Sequence, residues 1–360
     1  AGGAGCTFRG EPSIIAYWAG PPSNPAAMNT RASDPPVQSA DPAPVRVGLV
    51  GFGFAGQTFH APVIAAVPGM ALTAVASSQP HKVHAAWPGV AVVPDVAALV
   101  ARSDIDLVVV ATPNAQHHPV AHQALLAGKH VVVDKPFTLD ADQARELAGL
   151  ATRQDRILSV YQNRRWDADF LTLRRLLAEG AVGRPVYVES HVDRYRPEVR
   201  ERWREQAVPG AGLWVDLGSH LLDQALQLFG PPDTLQLDTA KLRDGAQVED
   251  HFHAVLRYER GPAAPLRVVL HAATLAAQPA PRYLVHGTAG SYVKEGVDPQ
   301  EDALRAGAMP GGETWGVDCV EGRLVHAGTD GRAAGMAVSN ARGDYTQYYA
   351  RVRDAIRGGT

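Results

Sequence analysis

The sequence predicts an α/β protein in two parts: an N-terminal Rossmann domain with a doubly wound parallel sheet, then an α+β domain with a large, mostly antiparallel open sheet. Three observations predict it. From Val45 short apolar runs alternate with helix-compatible stretches, the pattern of successive βαβ units. The first run, Val45 to Val50, feeds a Gly51-x-Gly53-x-x-Gly56 turn. After residue 163 strand-like runs follow one another with few helices between them, as in a sheet covered on one face.

In the first part, strands are expected at 45–50, 70–76, 107–111, 130–133 and 157–161, with helices at 54–66, 95–101, 116–127 and 140–153. Leu107-Val108-Val109-Val110 and Val131-Val132-Val133 carry no polar alternation, which strands buried on both faces require. The second part is expected to open with a helix at 166–179 and to hold strands at 185–192, 234–242, 252–258, 266–273 and 282–286. A helix at 213–229 interrupts them, stopped by Gly210-Ala211-Gly212 and Gly230-Pro231-Pro232. The expected domains are therefore 1–44, 45–163 and 164–360. The first of these is rich in Pro, Gly, Ser and Ala, has no sustained period, and reads as a flexible leader in which Met28 is a candidate start.

Composition narrows the function. In 360 residues, 46% hydrophobic content can supply two cores, and a net charge of -3 gives no basic footprint for nucleic acid. Cys6 and Cys319 make neither a disulfide framework nor a metal-ligand cluster, so no metal is expected and a cytoplasmic location is. No apolar run nears the roughly 20 residues that span a bilayer.

The glycine turn carries the first chemistry. Gly51 permits a tight turn, Gly53 lets backbone approach a pyrophosphate, and Gly56 allows close packing of helix on strand, with Phe52 between them. The pyrophosphate would rest on helix N-terminal amides. Three polar segments then follow strand ends. Thr112-Pro113-Asn114 with His117 succeeds the strand at 107–111, although a Pro-Asn turn capping the next helix explains Asn114 equally simply. Asp134-Lys135-Pro136 succeeds the strand at 130–133, where the proline makes a rigid platform for a lysine able to stabilise a developing oxyanion. Asp216 and His220, four apart on a predicted helix, suit a carboxylate that orients an imidazole for acid-base work. An ordinary surface pair and a metal site are the competing readings of that spacing, the latter lacking an evident third ligand.

With these segments together, the chain resembles the Gfo/Idh/MocA family of NAD(P)-dependent oxidoreductases, from about Val45 to Ala355. Within it, Tyr161-Gln162-Asn163-Arg164-Arg165-Trp166, Arg194-Tyr195-Arg196-Pro197, Arg202-Trp203-Arg204-Glu205, Pro281-Arg282-Tyr283 and Gln300-Glu301-Asp302 are similar to the NADP-dependent scyllo-inositol dehydrogenase branch. The resemblance implies hydride transfer between nicotinamide and a ring alcohol. It assigns Lys135, Asp216 and His220 to catalysis, and Tyr161, Asn163, Arg164, Trp166, Tyr195 and Tyr283 to the substrate. Gly51, Phe52, Gly53, Gly56, Thr112, Pro113, Asn114, His117, Asp134 and Lys135 would meet the cofactor. A small-molecule polyol or sugar and further copies of the same chain are the implied partners, with neither nucleic acid nor membrane.

Three departures from the family pattern stand out. Asp134 replaces the usual Glu. A C-terminal segment that packs back on the nucleotide domain is expected to be shortened or truncated. No acidic residue lies between Met70 and Lys82, where NAD-specific enzymes place one on the ribose. Ser77, Ser78 and Lys82 can instead meet a 2′-phosphate, so NADP is the expected cofactor with NAD as the alternative. Other sugar or aldose dehydrogenases, and a non-catalytic NAD(P)-sensing regulator on the same fold, are the competing functions.

Overall fold

The computed structural model describes residues 43–327 and 333–358, so the leader expected at 1–44 lies almost wholly outside the described residues. Six strands, β1 (Val45–Val50), β2 (Met70–Ala76), β3 (Ala91–Val93), β4 (Leu107–Val110), β5 (His130–Val133) and β6 (Leu158–Val160), form the first sheet. Their order is β3-β2-β1-β4-β5-β6, all parallel, with the chain reversing direction about β1. Every residue of β4 is buried, as its unbroken apolar run requires. The crossovers are α1 (Ala61–Ala65), α2 (Pro80–Ala86), α3 (Val96–Val100), α4 (His117–Leu126) and α5 (Ala141–Arg153). Asp95 and Asp140 cap α3 and α5, accepting from Ala98 N and Gln143 N at 2.8 Å each. The expected helix at 54–66 is in fact a π-helical turn, Gly56–His60, running into α1. The short pair α2 and β3 was not expected, because Pro80 and the flanking glycine turn masked both.

The second sheet has eight strands: β7 (Pro185–His191), β8 (Thr234–Ala240), β9 (His251–Tyr258), β10 (Leu266–Ala273), β11 (Tyr283–Gly287), β12 (Gly290–Lys294), β13 (Gly322–Ala327) and β14 (Ala333–Val338). The order is β14-β13-β12-β11-β7-β10-β9-β8, and only β7 with β10 is a parallel pair. Along β9 buried and more exposed residues alternate strictly, so one face carries the core. That face packs on α6 (Ala168–Ala178) and α7 (Ser219–Phe229), through Leu173, Leu176, Leu221 and Ala225. The expected helix at 213–229 begins with a second π-helical turn, Trp214–Gly218, before α7. Such turns carry one residue more per turn and so re-aim the side chains they bear.

Two more helices, α8 (Gln300–Arg305) and α9 (Thr346–Ile356), join the two parts. A C-terminal helix does pack back on the first domain: Tyr348, Tyr349 and Val352 of α9 enter the N-terminal core with Val47, Ile64 and Tyr161. Arg353 also donates to Pro68 O at 2.6 Å. No helix among the described residues is long and apolar enough to cross a membrane.

Candidate active site

The Gly51 turn closes as the sequence requires. Gly51 has φ +93°, and a Cβ there would lie 2.7 Å from Ala111 O, while one on Gly56 would lie 2.1 Å from Gly51 O. Gly53 differs: nothing stands within 4 Å of its Cβ position. Gly51, Phe52, Gly53, Ser77, Ser78, Thr112 and Pro113 line one depression beyond the strand ends of the first sheet. Thr112 Oγ1 is buried without a hydrogen-bond partner. Ser77 Oγ accepts from Gln79 N at 3.1 Å. Lys82, exposed on α2, does not line the depression, whereas Asp95 does, with its Oδ1 held by Ala98 N.

Asn114 and His117 are placed otherwise than expected. Asn114 neither caps a helix nor lines the depression; its amide donates to Gly210 O at 2.9 Å and ties this loop to the second domain. His117, buried, has Nδ1 2.7 Å from Pro136 O and Nε2 3.0 Å from Thr112 O. It pins the Thr112 loop to the Lys135 loop.

The second cleft lies between the domains and is lined by Asp134, Lys135, Tyr161, Asn163, Arg164, Asp216 and His220. The Lys135–Pro136 bond is cis. Lys135 Nζ donates to Asp216 Oδ1 and to Asp216 O, each at 2.8 Å. Two of its three hydrogens are thereby committed, leaving one for the cleft. Burial raises the Asp216 carboxyl, but the charges of Lys135 and Arg204 outweigh it and hold the group well below the usual carboxylate range. Asp134 shows the same balance, with His60 and Lys135 prevailing over burial to lower it. Its Oδ1 accepts from Lys135 N at 2.7 Å, fixing the loop.

Asp216 does not orient His220. Its partners are Lys135 and, at 3.7 Å, Arg204, and His220 makes no hydrogen bond among the described residues. The π-helical turn explains the difference, because Asp216 sits within it and His220 in α7, so the four-residue spacing no longer stacks them as on one α-helix. Burial, then the positive charges of Lys135 and Arg164, press the His220 imidazole well below its ordinary value of 6.5. It is a neutral imidazole with a free lone pair.

Three expected substrate residues are not in the cleft lining. Trp166 is buried against Tyr348, ring centroids 5.9 Å apart. Tyr195 is 61% exposed, bridged to Leu275. Tyr283 is buried, donating to Gln224 Oε1 at 2.9 Å, and Gln224 in turn donates to Arg164 O at 2.8 Å. It braces the Arg164 loop from behind. Tyr161 does line the cleft, but its hydroxyl is spent on Phe59 O at 3.0 Å.

The cleft also holds groups to which the sequence assigned no role at the site, most of them in the segments that carry the resemblance: Arg194, Arg196, Arg202, Arg204, Glu301 and Arg305. Arg164 and Arg305 share Glu301, and Arg202 bonds Glu205 at 2.6 Å. The guanidinium of Arg194 has no partner among the described residues; burial and the neighbouring Arg196 and Arg164 push it down to about 10. The repeated Arg-x-Arg spacing was the available signal.

This architecture, a dinucleotide-type depression beside an interdomain cleft with a lysine and an imidazole, defines a two-domain nicotinamide oxidoreductase. The chain belongs to the Gfo/Idh/MocA oxidoreductase family: residues 45–162 match its NAD-binding Rossmann fold and residues 174–360 its C-terminal alpha/beta domain. It is 52% identical over 314 residues to the uncharacterized oxidoreductase YdgJ of Escherichia coli, covering 87% of this chain and 89% of the relative. It is 36% identical to scyllo-inositol 2-dehydrogenase (NADP(+)) IolW of Bacillus subtilis, covering 88% and 87%. The solved structure of the YPO2259 protein from Yersinia pestis is 52% identical, covers 88% of each chain and superposes with a TM-score of 0.84.

The depression fits the family's dinucleotide: Gly53 faces open space, Thr112 Oγ1 lacks a partner, and Ser77 and Ser78 supply further donors. The glycines separate binding from folding. Gly56→Ala should lower the melting temperature, because its methyl group meets backbone. Gly53→Val should melt as the wild type does yet bind dinucleotide more weakly. Melting curves with fluorescence titration check both, and a Gly53→Val protein that binds normally would remove Gly53 from the cofactor site.

Proposed function

We propose that the chain is an NADP-dependent dehydrogenase that moves hydride between nicotinamide and a secondary alcohol of a cyclic polyol or sugar, a scyllo-inositol-type ring being favoured. One observation carries this reading: Lys135 from one domain and His220 from the other line a single cleft, one with a spare donor and the other with a free lone pair. Bound NADP would supply the hydride acceptor in oxidation and the donor in reduction. The neutral imidazole of His220 takes the hydroxyl proton as the C–H bond breaks, and returns it in the reverse direction. Lys135 holds the reacting oxygen and stabilises its negative charge as the proton leaves. Asp216 fixes the ammonium, not the imidazole. Asn163 and Arg164 line the cleft where ring hydroxyls would sit.

The absence of an acidic residue between Met70 and Lys82, the two serines in the depression, and the name of IolW support NADP. The ratio of kcat/KM for the two cofactors tests it, and a strong NAD preference would overturn it. The family resemblance supports a homo-oligomer, to be tested by light scattering in solution.

The pH dependence follows from the lowered His220. Its charged, inactive form appears only below the lowered value, so kcat/KM for oxidation should stay level as pH falls through about 6.5 and drop only in more acid solution. A fall centred at 6.5 or above would contradict the assignment. Stability has the same sign: below about 6.5 the unfolded chain binds a proton that the folded one excludes, so folding weakens as pH falls.

A second reading of the substrate has its own support. Seven cationic side chains but only three carboxylates line the cleft. That surplus favours a sugar acid or sugar phosphate over a neutral ring. Comparing neutral polyols with their carboxylated and phosphorylated counterparts by kcat/KM decides between the two.

A further inference from the structure

The second sheet brings together residues that the sequence separates by some eighty positions. His191 ends β7, and His271 of β10 is its in-register partner in the parallel pair. Asp193 lies two residues beyond His191, on the same face of the extended chain. One ring nitrogen of each histidine and one oxygen of Asp193 all lie within 4.8 Å of one another. None of the three lines the interdomain cleft.

The surroundings are arranged as around a ligand set. His191 Nε2 is 2.8 Å from Glu189 Oε2, so that ring nitrogen is the donor and Nδ1 keeps its lone pair. A carboxylate behind a ligating imidazole is the usual partner in histidine metal sites. Asp193 is fixed by amides, with Ala273 N to Oδ1 and Ala280 N to Oδ2 at 3.2 Å each, and each oxygen retains acceptor capacity. His191 Nδ1 and His271 Nδ1 are both buried without a hydrogen-bond partner. Toward the carboxylate, His191 Nδ1 stands 3.8 Å from Asp193 Oδ2 and His271 Nε2 3.5 Å from Asp193 Oδ1, so one nitrogen of each ring converges on Asp193, and buried imidazole nitrogens left unpaired are costly. His251 stands close by, its ring centroid 5.0 Å from that of His271, and can add a fourth ligand where water does not.

We propose that His191, Asp193 and His271 form a binding site for a first-row divalent metal ion, on the sheet face away from α6 and α7. Two imidazoles and a carboxylate suit zinc and its neighbours rather than calcium or magnesium, which prefer all-oxygen sets. The sequence reading expects no metal because the site depends on strand register, not on any local spacing.

The test titrates the full untagged chain, freed of metal by a chelator, with zinc chloride while heat is recorded. One ion should bind per chain, and the melting temperature should rise with zinc concentration by mass action. His271→Gln and Asp193→Asn should abolish this binding, and Glu189→Gln should weaken it about 10- to 100-fold. A Cys6→Ser, Cys319→Ser double variant should bind as the wild type does, which excludes thiolate capture. Cobalt substitution should give a visible spectrum without thiolate charge transfer, a readout that stands even where a histidine variant folds poorly. No saturable zinc binding by the wild type, or binding left intact in folded His271→Gln and Asp193→Asn, would overturn the proposal.

Discussion

Lys135→Met is expected to cut turnover by about a hundred- to a thousandfold while leaving dinucleotide binding nearly unchanged. The lysine stands in the interdomain cleft, not in the depression around Gly51, so it can be removed without touching the glycine turn. What disappears is the donor that the proposed mechanism places on the reacting oxygen. The change also strips Asp216 of its 2.8 Å partner, and a carboxylate left without its cation is destabilising. A second variant separates the two effects. Lys135→Met combined with Asp216→Asn should recover the lost melting temperature but not the lost turnover. Recovery of turnover in the double variant would mean that Lys135 acts only through folding, and would end its catalytic assignment.

His220→Ala should be at least as damaging, with kcat lower by about a hundred- to ten-thousandfold, the range for loss of a positioned acid-base group. The imidazole makes no hydrogen bond among the described residues, so its removal breaks no polar network, and stability should change mainly through the small cavity left in a buried site. The residual activity should lose the wild-type acid limb of the pH profile. Asp216→Asn offers the contrast: it removes the carboxylate charge that fixes the ammonium of Lys135 but leaves the imidazole in place, so activity should fall while the acid limb survives. An unchanged pH profile in His220→Ala would show that another group carries the proton.

What the sequence disclosed was local. The Gly51-x-Gly53-x-x-Gly56 turn is legible because its spacing is a local pattern directly after an apolar strand, and Lys135-Pro136 because it too follows an unbroken apolar strand. Asp216 and His220 were legible as residues but not as a pair. Their assumed contact rests on α-helical spacing, and the π-helical turn at Trp214–Gly218 sends the carboxylate to Lys135 instead. Trp166 and Tyr283 were drawn into the cleft by their neighbours in sequence, whereas burial decides their role: one fills the core under α9, the other braces Arg164 through Gln224. The arginines of the cleft come from several separate segments, and only the folded chain shows them converging. In the second sheet β12 to β14 escaped notice because their Gly- and Ala-rich ends carry little strand propensity, and successive pairing outward from β11 supplies what propensity does not.

The central claim is that this cleft oxidises a carbinol, and the most direct measurement is formation of reduced nicotinamide by the purified protein. NADP would be presented with inositol isomers, neutral sugars, sugar acids and sugar phosphates, and absorbance of the reduced ring followed for the wild type, Lys135→Met and His220→Ala. The account predicts that at least one of these alcohols reduces NADP with the wild type, and that both variants bind the cofactor yet lose that reaction. Tight NADP binding with no reduction by any alcohol in the set, or a reaction that both variants sustain at the wild-type rate, would contradict it and favour the nucleotide-sensing regulator.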